Sequence, residues 1–155
     1  MSASPTAHDA EEISRFLGVL WRFNRALAQE VEPRLHRELD TDPRSFILLK
    51  SIHKGLQYPK LLAQELRIPS TLISRYLDDL CKRGLIERHI DERDSRRTRL
   101  TVTDKGVALI HDTEAVVHTL VGHRLARLDA EQLRTLNDAM NALTDETPCP
   151  EGTTA

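Results

Sequence analysis

The chain has 155 residues, with 22 Lys and Arg against 24 Asp and Glu, so its formal net charge is −2. This length is typical of one small domain that buries its core without disulfides or metal ions. The two cysteines, Cys81 and Cys149, form no CxxC pair and no disulfide framework. The slightly acidic total, at face value, argues against a nucleic-acid partner.

The sequence also restricts where the protein works. The longest run without a polar side chain extends from Phe16 to Trp21, far short of the ~18 residues that span a membrane. The segment from Met1 to Thr6 lacks the basic and apolar regions of a secretory signal. We therefore expect a cytoplasmic protein without a membrane partner.

A long helix is predicted near the N-terminus, after a flexible tail at residues 1–8. From about Asp9, apolar residues recur at spacings of three and four, and Pro33 is expected to kink or end the helix. More than 20 residues precede this proline, which suggests a helix that packs against a partner as well as against its own core. The apolar positions are Ile13, Phe16, Leu17, Leu20, Trp21, Leu27, Val31 and Leu35.

Three short helices are predicted next. Asp42 followed by Pro43 is typical of a helix N-terminus, and the first short helix ends at His53–Gly55. Pro59 begins the second helix. The third is predicted from about Ser70 to Arg83, closed by Gly84 in the left-handed conformation.

The period then changes from helix to strand. Residues 86–90 and 100–103 alternate apolar and polar side chains, as short strands do. Residues 91–99 between them are polar and mostly charged, which predicts a β-hairpin with a long basic tip.

Two further helices complete the chain. Thr103–Lys105 begins a long helix, and Asp129 with Gln132 resembles a capping box that begins another. Residues 146–155 are expected to form a flexible tail. The fold class is therefore mainly α with a small β-hairpin (α+β), and residues 42–103 follow the plan of a winged helix-turn-helix.

The third short helix carries the side chains that such a unit needs to read DNA. In this fold the helix lies in the major groove, where short polar side chains on its first turn reach base edges. The candidates are Ser70, Thr71, Ser74 and Arg75. Capping is the alternative role for Ser70 and Thr71, and simple exposure is the alternative for Ser74.

The hairpin tip supplies a cationic wing. Residues 93–99 contain four arginines and one acid, Asp94. Arginine suits a narrow minor groove and binds phosphate through two donors, whereas the alternative is a solvated charged loop. The four arginines are Arg93, Arg96, Arg97 and Arg99.

These segments resemble the MarR family of bacterial transcriptional regulators. The wing signature is DERDSRRTRLTVTDKG at Asp91–Gly106, and the helix-turn-helix similarity lies in LAQELRIPSTLISR and LCKRGLIER upstream. The resemblance covers residues 13–144. It implies a homodimeric repressor on a pseudo-palindromic double-stranded operator, tuned by a small aromatic or phenolic effector. It also implies a helical dimerisation region, residues 9–41 and 104–145.

The resemblance assigns roles by position. Ser70, Thr71, Ser74 and Arg75 match positions that reach the major groove, and Arg96 and Arg97 match wing positions near the minor groove. Asp94 matches an acid that braces the wing through an ion pair with a nearby arginine, while Ser95 departs from the usual Arg or Lys. Trp21, Phe46 and His53 are candidate walls of an effector cleft, although core packing explains the two aromatic residues equally well.

A redox- or metal-responsive regulator of the same fold is the alternative. Lys82 and Arg83 beside Cys81 would favour a reactive thiolate, whereas a passive thiol is the plainer interpretation. His111, His118 and His123 share one predicted helix without an HxxxH pair, so no metal site is predicted.

Enzymatic activity is not expected. The sequence lacks a phosphate-binding glycine loop, GxSxG, HExxH and any adjacent nucleophile and base, and no cofactor is predicted. A helical protein-interaction module would explain the long helices but not the arginine-rich hairpin.

Overall fold

The computed structural model describes residues 8–144, in six helices and one antiparallel hairpin. The rest of the chain, including Cys149 and most of the two predicted tails, lies outside the described residues. The elements are α1 (Ala10–Leu39), α2 (Pro43–His53), α3 (Pro59–Leu66), α4 (Ser70–Lys82), β1 (Ile86–Ile90), β2 (Thr98–Val102), α5 (Asp104–Leu125) and α6 (Ala130–Thr144).

Helix α1 is longer than the sequence suggested. Of the two expectations at Pro33, a kink or an end of the helix, the end is wrong, because the helix continues through the proline to Leu39. A proline inside a helix costs about 3 kcal/mol. The burial of Leu35 offsets much of this cost, whereas the exposed ion pair between Arg34 and Glu38 adds little.

One hydrophobic core joins the three short helices, the hairpin and the start of α5. Helix α2 begins where predicted, since the Asp42 carboxylate accepts the backbone N–H groups of Arg44 and Ser45 at 2.9 Å. Gly84 has the predicted positive φ, 69°, after α4. The buried core residues are Leu48, Leu49, Ile52, Leu62, Ile73, Leu77, Leu80, Leu85, Ile86, Leu100 and Ile110.

The hairpin is attached to this core at its base. Ile86 pairs with Val102 and Ile90 with Thr98. The Leu100 N–H also donates to the Gln57 carbonyl at 2.7 Å, which ties β2 to the loop before α3. Because β2 begins at Thr98, Arg99 lies in a strand, opposite His89. The sequence analysis had instead placed Arg99 in the loop.

The contacts divide the chain into one compact unit up to Leu120 and a second from Val121. In the second unit, the predicted capping box is confirmed. The Asp129 N–H donates to the Gln132 side chain at 3.0 Å, and the Gln132 N–H donates to the Asp129 carboxylate at 2.8 Å.

Two helices, α1 and α6, carry most of the exposed large apolar side chains of the described residues. In α1 these are Ile13, Phe16, Leu17, Val19, Trp21 and Phe23, with Trp21 75% exposed. Helix α6 contains no buried residue, and its exposed apolar side chains are Leu136, Met140 and Leu143.

Gly106→Ala is expected to lower the free energy of unfolding by about 1–3 kcal/mol through overpacking. A Cβ at this position would lie 2.2 Å from the Leu85 carbonyl oxygen and 2.6 Å from Val102 Cγ1. The Leu85 oxygen cannot easily move, because it accepts the Thr103 N–H at 3.0 Å. Urea unfolding measures the change.

Gly122→Ala in the same helix is the matched control. A Cβ at Gly122 meets nothing within 4 Å, so this variant gains helix propensity of up to about 1 kcal/mol. Equal stability of the two variants would contradict the close packing at Gly106.

Candidate nucleic-acid interface

Helix α4 presents two different faces. Ile73, Leu77 and Leu80 are buried in the core. The four candidate base-reading side chains are all exposed, and within residues 8–144 none of them has a side-chain hydrogen bond or an ion pair. They are Ser70, Thr71, Ser74 and Arg75.

The N-terminus of α4 lacks a side-chain cap. The N-cap residue is Pro69, which makes no side-chain capping bond. The capping role considered for Ser70 and Thr71 is therefore not realised, because both residues lie inside the helix. Their exposed hydroxyls, together with the first-turn N–H groups, form a surface of donors that suits an anion.

Two carboxylates fold the wing tip. Asp91 accepts the Arg93 N–H at 2.8 Å, and Asp94 accepts the Arg96 N–H at 3.0 Å. The Asp91 N–H donates to the Arg97 carbonyl at 2.9 Å and closes the loop. These bonds use backbone groups, so the arginine side chains of the tip remain exposed.

Asp94 therefore acts on the wing differently from the expectation. The predicted ion pair with an arginine is wrong for the described residues, since the Asp94 carboxylate bonds to a backbone N–H two residues ahead. Aspartate favours this local turn because the donor lies within reach of its short side chain. Among the described residues, no guanidinium group of the tip is therefore held in an ion pair with Asp94.

Tyr58, the residue before α3, contacts the wing, and the sequence did not reveal this contact. Its hydroxyl donates to the Asp91 carboxylate at 2.5 Å, and the Arg97 guanidinium carbon lies 4.3 Å from its ring centroid. The hydrogen bond lowers the pKa of Asp91 and raises the pKa of Tyr58. No sequence pattern pairs positions 33 residues apart, and a tyrosine before a proline gives no signal of its own.

Several cations near the interface are used inside the fold. Arg88 binds Asp78 at 2.8 Å, Arg83 donates to the Asp40 carbonyl, and Lys105 donates to the Arg83 carbonyl at 2.8 Å. These side chains position the hairpin and the start of α5 and are less available to a ligand.

The candidate sensing residues have other surroundings. Cys81 is a free, half-buried cysteine against the core. Glu114 binds Lys50 at 2.7 Å, which lowers the pKa of Glu114, and His111 lies 3.9 Å from the same carboxylate. Residues 8–144 contain no group of three His, Cys, Asp or Glu suited to a metal ion. A sensing role for Cys81 stays a prediction.

The candidate cleft residues lie in three different settings. Trp21 borders a shallow groove on α1 with Leu17 and Asn24. Phe46 packs against the core, with the Lys50 ammonium 5.5 Å from its ring centroid, while His53 is exposed at the end of α2. The structure does not bring these three residues to one cavity.

A cavity of about 780 Å³ instead lies where the end of α1 meets α2, α3 and α4, and none of the three candidates lines it. Its wall includes Thr41, which is 3% exposed and whose hydroxyl has no hydrogen-bond partner. Other lining residues are Glu32, His36, Arg44, Ile47, Leu66 and Tyr76.

Residues 44–106 match the family of winged helix DNA-binding domains. Similar solved structures include the transcriptional regulator BldR from Sulfolobus solfataricus, with 22% identity and a TM-score of 0.72 over 88% of this chain and 99% of that chain. A mutant MarR from E. coli complexed with operator DNA has 22% identity and a TM-score of 0.73, over 89% and 99%. A Mycobacterium tuberculosis MarR family protein complexed with p-aminosalicylic acid has 25% identity and a TM-score of 0.66, over 81% and 95%.

The chain is a winged helix protein with the fold of the MarR family. The predicted family resemblance and the predicted fold class, mainly α with one hairpin, are both confirmed. In this fold α4 occupies the position of the recognition helix, and the β1–β2 hairpin occupies that of the wing. In the described part of the chain, no helix combines the length and apolarity needed to cross a membrane.

Proposed function

We propose that this winged helix protein is a sequence-specific regulator of transcription, a repressor that binds double-stranded DNA as a homodimer and responds to a small aromatic or phenolic effector. The observation that carries the proposal is the set of exposed polar and cationic side chains without a hydrogen bond or ion pair, on the first two turns of α4 and at the wing. Within residues 8–144, the side chains of Arg75, Arg93, Arg96 and Arg99 make no hydrogen bond, ion pair or ring contact. Such groups gain most from an anionic, hydrogen-bonding ligand.

DNA contact divides between the two elements. Ser70, Thr71, Ser74 and Arg75 on the recognition helix would read base edges in the major groove. The wing arginines Arg93, Arg96, Arg97 and Arg99 would contact phosphates and the minor groove, with Asp94 folding the tip. The similar MarR structure from E. coli is a complex with operator DNA, which supports DNA as the ligand of this fold.

A homodimer accounts for the uncovered apolar side chains. Helix α1 exposes Phe16 by 45%, Leu17 by 55% and Trp21 by 75% in the single chain. Contiguous apolar patches of this kind mark interaction surfaces. In a two-fold dimer, the two recognition helices would enter major grooves ~34–36 Å apart.

Because Trp21, Phe46 and His53 line no common cavity among the described residues, we assign the effector in their place to the cavity at Thr41. Its 780 Å³ lies within the range of ligand pockets. A planar ligand would lie against Ile47 and Tyr76, with Arg44 nearby. The Thr41 hydroxyl is buried in the ligand-free chain, so it would bond to the polar group of the ligand after its side chain rotates toward the cavity. The similar M. tuberculosis protein forms a complex with p-aminosalicylic acid. Such a ligand regulates only if it prefers one dimer arrangement.

Arg97→Ala is expected to weaken binding to operator and to unrelated DNA by similar factors, and to reduce the salt slope of binding by about 1 for each phosphate that Arg97 neutralises. Thr71→Ala is expected to change base preference instead, by about 1–3 kcal/mol at one position. Fluorescence anisotropy over a salt series and a randomised-site selection measure the two effects. Arg127→Ala, which removes an exposed arginine outside the winged helix, is the control. An unchanged salt slope for Arg97→Ala would refute its phosphate contact. An unchanged selected sequence for Thr71→Ala would refute its contact with a base.

Sedimentation should give a species of twice the 17.6 kDa chain mass. Phe16→Glu is expected to shift it to monomer and to weaken operator binding at least tenfold, because a charge would be buried in an apolar interface. Ser14→Glu adds the same charge at a neighbouring polar position and should leave the dimer intact. A monomeric wild-type protein would exclude the dimer.

Thr41→Val is expected to abolish the response to an effector while keeping operator binding. The panel is phenol, benzoate and 4-hydroxybenzoate, with operator release and thermal stability as readouts. Removal of an unpaired buried hydroxyl should also stabilise the ligand-free protein by about 1–3 kcal/mol.

Thr113→Val is the matched control, since the Thr113 hydroxyl is equally buried but donates to the Leu109 carbonyl at 2.7 Å. This variant should lose stability and keep the response. If Thr41→Val responds like the wild type, the cavity at Thr41 is not the effector site.

A further inference from the structure

One wing arginine differs from the other three. The Arg97 guanidinium carbon lies 4.3 Å from the centroid of the Tyr58 ring, whereas within residues 8–144 the side chains of Arg93, Arg96 and Arg99 have no ring contact or ion pair. A guanidinium over an aromatic face at this distance is attracted by the quadrupole of the ring. The contact therefore favours one orientation of the Arg97 side chain over the others.

The ring that holds Arg97 is itself fixed. Tyr58 is half-buried, and its hydroxyl donates to the Asp91 carboxylate. The second Asp91 oxygen accepts the Arg93 N–H, and the Asp91 N–H bonds to the Arg97 carbonyl. One aspartate therefore ties the tyrosine to the two ends of the wing tip.

We propose that Tyr58 is the positioning residue of the wing, which orients the Arg97 side chain for DNA before DNA arrives. The inference rests on the proposed binding of the wing to DNA and extends it to a residue outside the wing. Tyr58 would act through Arg97 and would not need to touch DNA itself.

The physical reason is the entropy of a charged hairpin tip. Arginine has several rotatable bonds, and immobilising such a side chain on binding costs about as much free energy as a two- to tenfold loss of affinity. Mutual repulsion among four arginines would also spread the tip. A ring beneath one guanidinium and a hydrogen bond to the loop reduce both penalties before binding.

The arrangement separates positioning from folding. The hairpin is attached to the core by the buried Leu100 and by the bond from its N–H to the Gln57 carbonyl, and neither contact involves the Tyr58 side chain. A change of the ring should therefore alter the tip without detaching the hairpin.

The test is a double-mutant cycle on DNA affinity with Tyr58→Leu, Arg97→Ala and the double variant in the full chain. Tyr58→Leu should weaken operator binding about two- to tenfold. In the Arg97→Ala background the same change should have no further effect, because the side chain that it positions is gone. Tyr58→Phe, which keeps the ring, should recover more than half of the loss on a logarithmic scale.

Arg96→Ala is the matched control, because this wing arginine has no contact with a ring among the described residues. The effects of Tyr58→Leu and Arg96→Ala should multiply. If the effects of Tyr58→Leu and Arg97→Ala on affinity also multiply, Tyr58 does not act through Arg97. If Tyr58→Leu binds operator with wild-type affinity, the positioning role is likewise overturned.

The Arg97 Hε resonance gives a second readout that needs no DNA. The Tyr58 ring current should shift it upfield in the wild type, and the shift should vanish in Tyr58→Leu and persist in Tyr58→Phe. An unshifted wild-type resonance would overturn the inference. Failure of the wild type to bind any DNA would instead overturn the proposed function, while the resonance would still decide the arrangement of the two side chains.

Discussion

The attachment of the hairpin at Leu100 is the constraint on which the wing depends. A two-stranded hairpin is marginally stable alone in water, and here only Ile86 of β1 and Leu100 of β2 are fully buried. The Leu100 N–H also donates to the Gln57 carbonyl, so the loop before α3 acts as a short third partner. The hairpin is therefore fixed at its base, and its tip can extend into solvent without losing its place on the core.

At the tip, short-range bonds decide what the charges can do. An arginine paired with a carboxylate would have to break that pair to bind phosphate, and the exchange would gain little. Asp91 and Asp94 instead bond to backbone N–H groups and to Tyr58. The acids of the tip thus shape the loop while the arginines keep their charge for a ligand. This use of aspartate explains how a loop with nearby acids can still act as a cationic surface.

Local signals predicted much of the fold, because the bonds that they imply lie within a few residues. The cap at Asp42, the positive φ of Gly84 and the capping box at Asp129 all follow from such bonds. The predicted end of α1 at Pro33 is wrong because the burial of Leu35, a tertiary effect, offsets the local cost of a proline. Tyr58 and the cavity at Thr41 lay beyond sequence reasoning, since each joins segments that are brought together only by folding.

The net charge of −2 gives a poor guide to the surface, and the structure shows why. Residues 67–105 contain ten Lys and Arg and seven Asp and Glu, which makes this window +3 and leaves −5 for the rest. Within the window, Arg83, Arg88 and Lys105 are engaged by the fold, so the available positive charge is concentrated further, on α4 and the wing. Because potentials near a surface follow local charge more than the total, acidic helices elsewhere would weaken general adhesion to DNA. Binding would then depend on a small number of correctly oriented side chains, for which a pre-set Arg97 matters more than an additional arginine.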